Sequence, residues 1–178
     1  NADKHAFQKK EWFKVMSPRA VGSIEQVGWT PVKRPTGTQK IQELLQGRVI
    51  EICLADVKKH KFDIANVSKK VQIAVEDVQG DRVTTSFYKF ELTRDQVQKN
   101  LRKRQSLVDI FTNVKSKDGN QMRVFVQIVS QRALKQVRLN SYLEESKIKE
   151  VRKRVCEFLS AKAAAQSSDE FVLKVLLN

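Results

Sequence analysis

Two turns govern what this chain can fold into. Gln79-Gly80-Asp81 and "SKDGN", with Asp118-Gly119 at its centre, each lie between two runs of alternating apolar and polar residues. Before the first turn, "KVQIAVEDVQ" places Val71, Ile73 and Val75 on one face, and "RVTTSFYKFEL" reads as the return strand. Around the second, "LVDIFTNVK" places Val108, Ile110, Thr112 and Val114 on one face, and "QMRVFVQIV" does the same with Met122, Val124, Val126 and Ile128. Side chains along a strand alternate between faces, so each run has one core-facing side. Gly-containing turns between such runs join them as antiparallel hairpins. "GRVIEICLADV" is a further strand, with Ile50, Ile52 and Leu54 on one face.

The remaining signals are helical or irregular. Thr93 with Gln96 fits a capping box, and with Val97 and Leu101 it predicts a helix ending near Ser106. Ser141 with Glu144 predicts a helix over 142–165, with Ile148, Val151, Val155, Phe158 and Leu159 as its apolar stripe. Ser167 with Glu170 repeats the signal before Phe171–Leu177, which is expected to dock on the body or to lead into further chain. Residues 1–46 contain Pro18, Pro31, Pro35, Gly22, Gly28 and Gly37, which interrupt regular structure. They read as an extended arm whose Trp12, Phe13, Val15 and Trp29 dock on a body, with one helical turn at Ile41–Leu45. The expectation is therefore an α+β protein. An N-terminal arm over 1–46 precedes an antiparallel β-barrel body over 47–140 with one inserted helix, and C-terminal helices over 141–178 pack on that body to make one globular unit.

Charge narrows the function. Thirty-four Lys and Arg against 20 Asp and Glu give +14 and a pI near 9.9. Such a field repels itself, and a polyanionic partner, most often nucleic acid, is what makes it useful. An anionic membrane surface is the rival partner, although no membrane partner is expected; no apolar run is long enough to span a bilayer, and Asn1–Lys10 lead into no apolar signal core. Cys53 and Cys156 stand alone without a C-x-x-C, which gives no zinc site; both read as buried small apolar residues of a protein in a reducing compartment.

Catalysis has little to stand on. His5 and His60 lack a nucleophile in any motif, and no phosphate-binding, zinc-hydrolase or nucleophile-elbow pattern occurs. Glu76 with Asp77 could hold Mg²⁺, as in a nuclease. Adjacent strand residues point to opposite faces, so the two carboxylates converge only at a bulge. The plainer reading is that they end a strand and pair with nearby Lys or Arg. No enzyme, cofactor or metal is expected.

The cations form patterns. Lys99, Arg102 and Lys103 stand at i, i+3 and i+4 opposite Val97 and Leu101, flanked by Arg94 and Arg104; Lys149, Arg152 and Lys153 repeat the spacing away from Val151 and Val155. A ridge of cations backed by an apolar anchor suits tracking of phosphates, although a charged helix face is often only a solvated one. "RALKQVRLNSY" adds Arg132, Lys135 and Arg138 beside a helix start, with Tyr142 able to stack on a base or simply to pack. "KKEWFK" interleaves Lys9, Lys10 and Lys14 with Trp12 and Phe13. No RRM aromatic pair, KH loop or zinc finger occurs, which points to structured nucleic acid bound through its backbone.

A set of stretches in order carries a resemblance: "KKEWFKV", "TGTQK", "GRVIEICLADV", "VEDVQG", "ELTRDQV", "VKSKDG", and "QVRLNSY" followed by "IKEVRKRV". The chain resembles the archaeal and eukaryotic small-subunit ribosomal proteins of the S-three-a, or eS-one, family. The resemblance implies a β-barrel body with flanking helices, held on the platform of the small subunit near the messenger exit. It implies contact with small-subunit ribosomal RNA, neighbouring ribosomal proteins and messenger RNA, no homo-oligomer and no catalytic role. It implies a cytoplasmic ribosome, with a nucleolar stage during assembly, and family members carry extensions at both ends. Arg94–Arg104, Arg132–Arg138 and Lys147–Arg154 become the expected ribosomal RNA contacts. The alternative is a free RNA-binding or chaperone-like module of another ribonucleoprotein.

Overall fold

The computed structural model of the chain describes residues 10–22, 24–34, 40–57, 64–132, 137–138 and 142–176. They form an α+β protein that groups into two compact units, residues 1–93 with 176–178, and residues 94–175.

In the first unit, β1 (Glu11–Met16), β2 (Gln26–Val32), β3 (Val49–Cys53), β4 (Lys69–Gln79) and β5 (Arg82–Leu92) make one sheet in the order β2-β1-β5-β4-β3. The β4–β5 hairpin forms as its alternation predicts. Gln79 pairs with Arg82, and Gly80 takes φ +61 at the first position of the two-residue loop, where a side chain would be strained. Val71, Ile73 and Val75 are all buried. The core joins Phe13, Val32, Leu45, Val75 and Val83, with Ile41, Ile50 and Val78 packed against it. Leu45 comes from the short helix α1 (Ile41–Leu45); two further short helices, α2 (Leu54–Val57) and α3 (Ile64–Val67), follow β3.

The irregular arm expected over residues 1–46 is corrected: it contributes β1 and β2, and its Phe13, Val15 and Val32 are buried. Pro31 misled because β2 is an edge strand, where a residue without an N–H forfeits no ladder bond if it faces away from its single neighbour. The purely antiparallel sheet is corrected too. β1 runs parallel to β5 at Lys14↔Arg82 and Val15↔Val83. Side-chain and backbone bonds hold this junction: Lys14 N donates to the Asp81 carbonyl at 2.9 Å, Thr85 Oγ1 to the Met16 carbonyl at 2.6 Å, and Lys14 Nζ pairs with Asp81 Oδ2 at 2.7 Å.

Among the described residues no backbone ladder joins the edge strands β2 and β3, so the expected barrel is not closed by strand pairing. A side chain links them instead. Arg48, just before β3, donates through Nη1 to Thr30 Oγ1 at 2.7 Å and to the Pro31 carbonyl at 3.0 Å. Val27 and Trp29 of β2 and Ile50, Ile52 and Cys53 of β3 line one cleft between them. On the outer surface of β3 and β4, Lys70 Nζ donates to Glu51 Oε1 at 2.6 Å. That hydrogen bond, then the attraction of opposite charges, holds the Glu51 carboxyl below its ordinary range and the Lys70 amine above its own. Cys53 and Cys156 are free and half-buried rather than buried; the Cys53 thiol reaches the Val67 carbonyl at 3.4 Å.

The second unit is a hairpin with helices. β6 (Leu107–Lys115) and β7 (Gln121–Val129) pair antiparallel throughout, and Gly119 takes φ +86 in the turn. The long helix α5 (Glu145–Ala165) lies along β6. Nine strand residues at about 3.3 Å and 21 helical residues at 1.5 Å both span about 30 Å, so helix and strand match in length. The turn end is fastened to the helix C-terminus: Lys117 N donates to the Gln166 carbonyl at 3.1 Å, and Ser168 N to Asp118 Oδ2 at 2.9 Å. The predicted Ser167 cap is present, its Oγ accepting from Glu170 N at 3.4 Å and opening the short helix α6 (Ser168–Phe171). Phe171 and Val172 are almost wholly buried.

Candidate nucleic-acid interface

Charge is unevenly shared. Residues 94–175 hold 18 Lys and Arg against nine Asp and Glu, so this unit carries +9 of the total +14. One hydrogen-bonded node brings its basic stretches to the same place. Ser106 N donates to Ser130 Oγ at 2.8 Å, Ser130 N donates to the Ser106 carbonyl at 2.9 Å, and Leu143 N donates to Ser106 Oγ at 2.8 Å. Ser106 ends the stretch containing Arg94, Lys99, Arg102, Lys103 and Arg104. Ser130 begins the one containing Arg132, Lys135 and Arg138. Leu143 leads into the helix of Lys149, Arg152 and Lys153. All three stretches therefore root at the open end of the hairpin.

The ridges differ from expectation. The helix predicted to run from Thr93 to about Ser106 is only Arg94–Lys99 (α4), so Arg102 and Lys103 lie beyond its end and do not form a helical ridge with Lys99. α4 buries no residue, a six-residue helix has little stability of its own, and like charges at i+3 and i+4 oppose its extension. Arg104 then takes φ +68, a left-handed conformation incompatible with helix. Arg94, Lys99, Arg102 and Lys103 are exposed and Arg104 is half-buried.

The second ridge is helical. α5 starts at Glu145 rather than Tyr142, and its N-cap Glu144 makes no side-chain cap bond. Lys149, Arg152 and Lys153 are all exposed on its N-terminal half; Leu159 and Ala163, buried in the C-terminal half, anchor it. Phe158, expected in the apolar stripe, is exposed instead. Lys149 pairs with Glu145 at 3.1 Å, whereas among the described residues Arg152 and Lys153 have no acidic partner. Exposed i, i+4 pairs contribute only about 0.3–0.5 kcal/mol, so a phosphate competes readily for Lys149. Arg154 is matched to Glu150 at 2.6 Å.

Arg132, Arg138 and Tyr142 are exposed; Lys10 is exposed at the start of β1, with a contact of its own. Lys9 and Lys135 lie outside the described residues, as do both histidines and Ser141. Glu76 and Asp77 sit within β4 rather than at its end. The bulge that would bring them together is there, between Val75 and Asp77. The Asp77 carboxylate accepts from Val78 N at 2.8 Å, and no cluster of three or more His, Cys, Asp or Glu that could hold a metal occurs among the described residues. No described helix is long and apolar enough to cross a membrane.

Sequence reading missed Ser106 and Ser130, whose roles depend on partners across the unit. It also missed Phe111 and Phe125, although the alternation that turns Val108 and Ile110 inward necessarily turns Phe111 outward.

A family model described as the Ribosomal S3Ae family matches residues 1–178. A relative from Dictyostelium discoideum, named small ribosomal subunit protein eS1, is 34% identical over 157 residues, which is 86% of this chain and 56% of that protein. The chain thus spans a little over half the length of that relative. It belongs to the Ribosomal S3Ae family.

Proposed function

We propose that the chain is a structural, non-catalytic part of the small ribosomal subunit that binds ribosomal RNA through the basic end of residues 94–175. The observation that carries this reading is the node of Ser106, Ser130 and Leu143, which gathers three basic stretches where +9 of the charge resides. Family membership and the name of the relative support the ribosomal setting. In this reading Arg94, Lys99, Arg102, Lys103, Arg104, Arg132, Arg138, Lys149, Arg152 and Lys153 contact phosphates, joined by Lys9, Lys10 and Lys135. Neighbouring small-subunit proteins cover other surfaces, and the position is the platform near the messenger exit, with messenger RNA close by. The body acts as a closed barrel once Arg48 and its neighbours complete the seam between β2 and β3. The site of action is the cytoplasmic ribosome, after a nucleolar stage of assembly.

Sedimentation tests the reading. A tagged chain expressed in eukaryotic cells should travel with small subunits through a gradient and stay bound at moderate salt. Recovery only at the top of the gradient, or exchange from particles into any added RNA, would favour a free RNA-binding module and overturn the assignment.

A further inference from the structure

The outward face of the β6–β7 hairpin carries a feature that the basic stretches do not explain. Phe111 and Phe125 are a direct cross-strand pair, and they are 71% and 72% exposed. Opposed residues on one face have Cβ atoms about 4.5–5.5 Å apart, so the two rings rise from adjacent points of one exposed face. The inner face of the same hairpin already supplies the core through Val108, Ile110, Val114 and Val124. The two rings are therefore not core residues displaced by a register slip.

The surroundings of the rings select a ligand. Toward the turn come the pairs Asn113↔Arg123 and Lys115↔Gln121; toward the open end come Asp109↔Gln127 and then the apolar pair Leu107↔Val129. Arg123 Nε donates to Asn113 Oδ1 at 3.0 Å, which ties the guanidinium to the neighbouring cross-strand pair. Two aromatic rings bordered by amides and two cations, against a single carboxylate, is the composition of a surface for stacked bases and their phosphates. The net charge of +9 over residues 94–175 favours a polyanion over a protein as the occupant. Bases within a duplex already stack on one another, so the ligand is unpaired.

We propose that Phe111 and Phe125 form a stacking platform for unpaired RNA bases, with Lys115 and Arg123 as its phosphate contacts. This rests on the reading of the chain as an RNA-binding protein, and it adds a second, base-directed element to the phosphate-directed basic end. Phenylalanine offers a ring face without a hydrogen-bonding group, so the platform tolerates any base.

Fluorescence anisotropy of the 178-residue chain with labelled oligouridine, and with a duplex of the same length, tests this. The probe is roughly ten nucleotides, in the range that single-strand binders occupy. Phe111→Leu/Phe125→Leu keeps the apolar area and removes the rings. It should weaken oligouridine binding at least about tenfold, given the usual cost of losing base stacking, and leave duplex binding unchanged. Phe111→Tyr/Phe125→Tyr keeps both rings and should bind like the parent. Oligouridine affinity unchanged in the Leu pair would assign the face to apolar packing and overturn the platform, as would loss of binding in the Tyr pair. If the parent chain binds neither RNA, the RNA-binding reading itself fails.

Discussion

Removing the three cations of the long helix isolates the phosphate term. Lys149→Ala/Arg152→Ala/Lys153→Ala deletes three exposed charges from the half of α5 that buries nothing. Each phosphate neutralised contributes about 0.7–0.9 to the slope of log affinity against log salt, so three contacts lower that slope by about 2–3. Between roughly 50 and 200 mM salt, the parent's advantage over the variant should shrink by about 20–40-fold. Folding should hardly change. Among the described residues only the Glu145–Lys149 pair is lost, about 0.3–0.5 kcal/mol, and Ala is a better helix former than the residues it replaces. The midpoint of thermal unfolding should move by no more than about 2 °C. The assay is anisotropy with a structured RNA across a salt series. A control, Lys33→Ala/Arg34→Ala/Lys40→Ala, removes equal charge from the first unit and should leave the slope near that of the parent. A folded α5 variant with the parent's slope, or a control with the same loss, would refute the assignment of phosphate contact to this helix.

Three further outcomes follow from packing and linkage. Phe171→Ala empties a fully buried site and should cost about 3–5 kcal/mol in chemical denaturation; a loss under about 1 kcal/mol would mean the C-terminal segment does not dock as described. Ser106→Ala leaves Leu143 N without its acceptor, which should cost about 1–3 kcal/mol and speed hydrogen exchange at Leu143, while Ser106→Thr retains most of the protection. For the Glu51–Lys70 pair, the carboxyl is depressed and the amine raised, so its stabilisation is present at neutral pH. It is lost as pH falls through the folded Glu51 value, and again as pH rises through the folded Lys70 value. The gap in melting temperature between parent and Glu51→Gln should therefore close in acid, and a gap that widens there would reverse the assignment.

Particular elements show how much was legible in advance. The hairpins over residues 69–92 and 107–129 were readable because period-two alternation and glycine turns are local signals. The short helix Ile41–Leu45 and the Ser167 cap were readable for the same reason. β1 and β2 were not, because an edge strand tolerates Pro31 and its identity as a strand depends on which neighbour it meets. The reach of α4 was not, because helical spacing continues through Arg102 and Lys103 with no buried face to sustain a helix. The basic residues were legible as residues, and their convergence was not.

The sequence by itself determined the alternating faces, the turn positions, the excess of cations and the family resemblance, since each resides in neighbouring residues or in simple sums over them. Tertiary structure alone decided that β1 joins β5 in parallel, that Arg48 ties the edge strands, and that three serine- and leucine-linked bonds gather the cations at one end. Those facts depend on contacts between residues far apart in the chain, and such contacts form only when the whole unit can bury its apolar faces together.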